Sequence, residues 1–69
     1  MNKYEIIIYW SGEDDSFIAE VPELSGCFAH GASYEEALNN AKEAISLWLE
    51  TAEEFGDEIP LPKGKLMFA

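Results

Sequence analysis

The residues able to do chemistry are few in this chain of 69 residues, and they do not converge. His30 is the sole histidine, with no cysteine or acid at the spacing that a metal ligand set or a general-base pair requires, so a structural or solvent-exposed role suits it better. Cys27 is the sole cysteine. It has no neighbour that would lower its pKa, and it reads as a small apolar residue, buried or half-buried, not as a nucleophile. Glu13, Asp14 and Asp15 lack the glycine and terminal glutamate of a calcium loop and are read as a solvated hairpin tip. Glu50, Glu53 and Glu54 read as the hydrated face of a helix, and the glycines at 12, 26, 31, 56 and 64 are too scattered to cradle phosphate. Trp10 and Trp48 are assigned to a core, not to a ligand cage. No catalytic, cofactor or metal site is expected, and the chain is not expected to be an enzyme.

The elements that hold these residues can be traced from periodicity. From Ser33 to Phe55, Tyr34, Leu38, Ala41, Ile45, Trp48, Ala52 and Phe55 recur at steps of four and three, which places them on one face of a helix. Ser33 is the expected N-cap, with Glu36 completing a capping box and Glu35 and Glu36 suiting the positive end of the helix dipole. Gly56 supplies a left-handed stop, and Pro60 and Pro62 bar continuation.

Ahead of the helix, Lys3 to Ser11 alternates as a strand, with Tyr4, Ile6, Ile8 and Trp10 facing the helix and Ile7 and Tyr9 left on the outer face. Gly12 to Asp15 is a polar hairpin turn, and Ser16 to Val21 returns with Phe17, Ala19 and Val21 inward and Ile18 and Glu20 outward. Pro22 to Gly26 forms a shaped loop, Cys27 to Gly31 a short third strand, and Lys65 to Phe68 a brief final strand after a proline-bearing linker. The order β-β-β-α-β predicts an α+β fold: an antiparallel sheet carrying one helix, in a single domain over residues 1–69.

Composition sets the class of partner. Fourteen acidic against four basic residues give a net charge of −10, which repels phosphate and excludes direct nucleic-acid binding while favouring a basic protein partner. An apolar fraction of 48% argues for a folded domain, although so short a chain buries only about 60% of its unfolded surface, a reason for small domains to oligomerise. The N-terminus shows no basic region followed by an apolar core, and no apolar run is long enough to span a bilayer. A cytoplasmic, soluble protein without membrane association is expected.

Residues 17–45 carry a more specific pattern. Pro22, Leu24, Gly26, Cys27, Gly31, Ser33, Glu35, Glu36, Ala37, Ala41 and Ala44 stand where the HicB-like antitoxin family has its Pro-x-Leu-x-Gly-Cys, Gly-x-Ser and Glu-Glu-Ala positions, and Ile59-Pro60-Leu61-Pro62 resembles the proline segment after that family's helix. The chain resembles this family over nearly its whole length. The resemblance implies a truncated ribonuclease-H-like fold and a type II antitoxin that blocks a small, basic, RNA-cleaving HicA-like toxin. Longer relatives append a DNA-binding domain, and the chain ends at Ala69 without one, so operator binding is not expected of it. Nuclease activity is not expected either, because only Glu5 and Glu20 lie in strands and a two-metal site needs more carboxylates.

Two readings follow. In the first, the acidic helix side with Glu50, Glu53 and Glu54, together with the outer sheet face carrying Ile7, Tyr9 and Ile18, meets a toxin. In the second, the same apolar face joins copies of the chain in a homo-oligomeric interaction or scaffold protein without a toxin partner. A degenerate nuclease ranks third.

Overall fold

The computed structural model describes residues 3–62, and the final strand expected at Lys65 to Phe68 falls outside them. Three strands, β1 (Ile7–Ser11), β2 (Ser16–Glu20) and β3 (Phe28–Gly31), form an antiparallel sheet in sequence order, and α1 (Tyr34–Phe55) packs across one face. Register fixes the two faces. Ile8 opposes Ala19, which opposes Ala29, on the helix side, while Tyr9 opposes Ile18, which opposes His30, on the outer side.

The helix begins and ends where its sequence dictates. The Glu36 amide donates to Ser33 Oγ at 3.0 Å, and Glu36 Oε1 accepts from the Ala32 amide at 2.7 Å, one residue earlier than the cap itself. Gly56 takes φ 69°, and the Gly56 and Asp57 amides close on the Glu53 and Ala52 carbonyls at 3.2 and 2.8 Å.

Two clusters join helix to sheet. Beneath the first half of α1, Ala19, Ala29, Ala37 and Ala41 bring the backbones close, with Ile6, Ile8 and Phe17 around them. Gly31 belongs to this contact, since a Cβ placed on it would stand 2.3 Å from the Ala37 nitrogen. Beneath the second half, Val21, Leu24, Cys27 and Ile45 are packed with Tyr4, Trp48 and Leu49. The loop that supplies three of them folds on itself: Val21 donates to Cys27, Leu24 to Val21 and Cys27 to Leu24, each at 3.0 Å, and Gly26 takes φ 74°.

Several expectations are corrected. The first strand starts at Ile7, not Lys3, because β2 ends opposite it at Glu20 and the Glu5 amide donates instead to Glu23 Oε1 at 2.8 Å. Val21 and Cys27 fall just outside β2 and β3 because they pair with each other across the loop. Trp10 is not core. It is 52% exposed at the sheet's edge, where its ring meets Phe17 edge-on at 5.1 Å while Phe17 lies 4.3 Å from Tyr34. The predicted helix stripe is buried only in its middle, since Tyr34 and Phe55 are exposed at its ends and Ala37 is buried instead.

Candidate functional site

The polar residues are placed apart. His30 is exposed on the outer face, its ring edge-on to Phe28 at 5.7 Å, while its carbonyl accepts from Asn40 Nδ2 at 2.7 Å. Cys27 is buried, and loss of solvent pushes its thiol pKa up, which disfavours the nucleophilic thiolate. Glu13, Asp14 and Asp15 form the exposed hairpin turn, with Asp15 at φ 52°. Glu5 precedes β1 and does not lie in a strand. Among the described residues no group of histidine, cysteine and acidic side chains is arranged to hold a metal ion.

The surface features are apolar and fall on either side of Phe28. On the outer sheet face, a groove of about 420 Å³ runs past Tyr9, Ile18, Pro22, Leu24 and Phe28. Ile7 and Tyr9 are exposed there, as β1 has β2 as its one neighbour among the described residues. Ile18 points to the same face but is only 6% exposed: it occupies the central strand, between Tyr9 and His30, and serves as the groove's floor. The Tyr9 hydroxyl donates to Glu20 at 2.8 Å, and this bond, ahead of desolvation and the charges of Glu20 and Asp14, raises the tyrosine pKa.

On the helix side, a second groove of about 370 Å³ lies between the Gly26–Phe28 segment and α1, lined by Ala44, Leu47, Trp48, Thr51 and Asp57. Trp48 forms its wall, and its Nε1 donates to the Ser25 carbonyl at 2.9 Å. Glu50, Glu53 and Glu54 are exposed on α1, whose last turn holds no basic residue. At 3.6 residues per turn, Leu47, Glu43, Glu50 and Glu54 share about 60° of the helix circumference, and Glu53 lies about 60° farther round.

Two exposed residues here, Phe28 and Leu47, were not singled out from the sequence. The signal for Leu47 was present: Leu47, Trp48 and Leu49 are consecutive, and three successive helical residues cannot all face one core. Phe28 carried no such signal, because its exposure depends on β3 having only β2 beside it among the described residues.

Residues 4–66 match the family model described as the HicB-like antitoxin of the bacterial toxin–antitoxin system. The UPF0150 protein Ta0767 of Thermoplasma acidophilum is 41% identical over 58 residues, covering 84% of this chain and 83% of that protein. The UPF0150 protein ssl0259 of Synechocystis is 42% identical over 57 residues, covering 83% of this chain and 77% of that one. A 14.9 kDa protein from the rep-hol intergenic region of Haemophilus phage HP1 is 43% identical over 47 residues, covering 68% of this chain and 35% of its own. No solved structure gives a significant match.

Proposed function

Since the chain belongs to the HicB-like antitoxin family, we propose that it binds a small, basic, RNA-cleaving toxin of the HicA type and blocks it, acting in the cytoplasm by contact and not by catalysis. The observation that carries this reading is the surface of α1, where exposed acids with no basic residue in the last turn surround an exposed leucine. A net charge of −10 steers a basic protein toward this surface, and its apolar centre gives the contact area that surface charges alone lack. The strand order fits a truncated ribonuclease-H-like unit. A nuclease remains the weakest reading, since Glu20 is held by Tyr9 and Glu5 lies outside the sheet.

Mixing the purified chain with a HicA-type toxin and an RNA substrate tests the proposal. Cleavage should stop near equimolar chain, and the inhibition should weaken as salt is raised through the range where the Debye length falls below about 10 Å. Undiminished cleavage with no complex on a sizing column would remove the antitoxin reading.

One observation favours self-association as a second reading. Ile7 and Tyr9 are exposed together on the outer sheet face, away from the helix acids. Sedimentation of the chain and of Tyr9→Lys should then show an oligomer that the substitution dissolves. A monomeric parent would remove this reading.

A further inference from the structure

The groove on the helix side is built for an occupant of particular chemistry. Its apolar lining is uncovered: Leu47 is 65% exposed on one bank and Phe28 55% on the other, with Ala44 and the Trp48 ring between them. Its polar floor is already satisfied. The Trp48 indole N–H is bonded to the Ser25 carbonyl, the Cys27 amide to Leu24 and the Cys27 carbonyl to Val21. With these groups engaged, recognition in this groove comes from side chains entering an apolar slot, as when an amphipathic helix lies in a groove. The slot follows α1 from Ala44 to Ala52, a little over two helical turns, and reaches Asp57 past the helix end, long enough to seat successive apolar residues of a second helix.

Charge selects which helix. Glu43, Glu50 and Glu54 line the Leu47 side of α1, and Asp57 closes the far end. The acids of the last turn also face the negative end of the helix dipole, an arrangement that a partner's cations would relieve. We propose that this groove is the docking site for an amphipathic helix of a basic partner protein, whose apolar residue enters between Phe28 and Leu47 while its lysines and arginines meet Glu43, Glu50 and Glu54. The inference rests on the antitoxin reading for the identity of the partner, but its location and chemistry stand on the groove.

The full chain carrying Trp10→Phe leaves Trp48 as the single tryptophan and a reporter in the groove wall. The probe is a four-turn synthetic helix rich in Lys and Arg with Leu and Phe along one face, compared with a scramble of the same composition. The striped probe should shift Trp48 emission to the blue and bind at least tenfold more tightly than the scramble. Leu47→Glu should weaken it at least tenfold with an unchanged melting curve, because Leu47 is outside the core. Replacing Glu43, Glu50 and Glu54 together by Gln should flatten its salt dependence, while Glu53→Gln should leave it unaltered. No binding, binding without a change in Trp48 emission, or equal affinity for folded Leu47→Glu would each overturn the groove. Against a HicA-type toxin, equal neutralisation by parent and Leu47→Glu would overturn the groove and spare the antitoxin reading. Probe binding in the groove with no toxin neutralised would support the groove and remove the antitoxin reading alone.

Discussion

The two halves of α1 hold the same sheet by opposite means. In the first half, Ala37 and Ala41 meet Ala19 and Ala29, and Gly31 touches the helix backbone, so attraction comes from close approach of small residues. In the second half, Ile45, Trp48 and Leu49 reach the folded loop through Val21, Leu24 and Cys27, so attraction comes from volume. The difference teaches where the molecule can spare a surface. A contact made by proximity leaves no slot, whereas one made by large side chains over a loop stands further off and leaves a groove beside it.

The sharpest way to break this comparison is Gly31→Val, which forces a branched side chain into the Ala37 backbone; cooperative melting by circular dichroism should be lost altogether. Next comes Ile45→Ala, expected to cost about 2–5 kcal/mol by emptying the loop cluster, a large part of the stability of so small a domain. Ala41→Leu, one turn away, should cost about 1–3 kcal/mol for the reverse reason, overpacking. Urea melts of the pair test the contrast: if the larger residue at 41 stabilises, the first half is not close-packed. Ser33→Ala should remove about 1 kcal/mol at the helix start without favouring either mechanism.

The smallest effect depends on pH and should occur only in the second half, because the alanine cluster holds no titratable group. Burial raises the Cys27 pKa in the folded chain above its ordinary value of 9.0, so the unfolded chain ionises first. The contribution of Cys27 is therefore fully present below pH 9.0 and is lost as pH rises from there through the folded value. Melting measured across that window should decline more in the parent than in Cys27→Ala. Parallel declines would place the pH dependence elsewhere.

Much of this was legible in the sequence because it depends on local chemistry. Ser33, Glu36 and Gly56 mark the ends of α1, and the turn at 12–15 and the loop at 22–26 follow from their polar residues, Pro22 and Gly26. What escaped depends on which neighbours a residue acquires. Ile18 and Tyr9 share a face, yet one is covered and the other exposed, since only one lies in the central strand. Trp10 has the alternation of a core residue but sits beyond the reach of the helix. Leu47 broke the helical pattern visibly, but its partner bank at Phe28 exists only after β3 has found the sheet edge.

Near the start of the described chain, the Tyr4 hydroxyl donates to the carbonyl of Pro60, joining residues 56 positions apart. The described path thus returns at residue 60 almost to where it stood at residue 4, closing a loop around the whole fold. The order of its elements is then separable from their arrangement. A permuted gene that begins within the exposed turn at 12–15 and joins residue 60 to residue 4 through a short linker would present every cluster and both grooves in their present places.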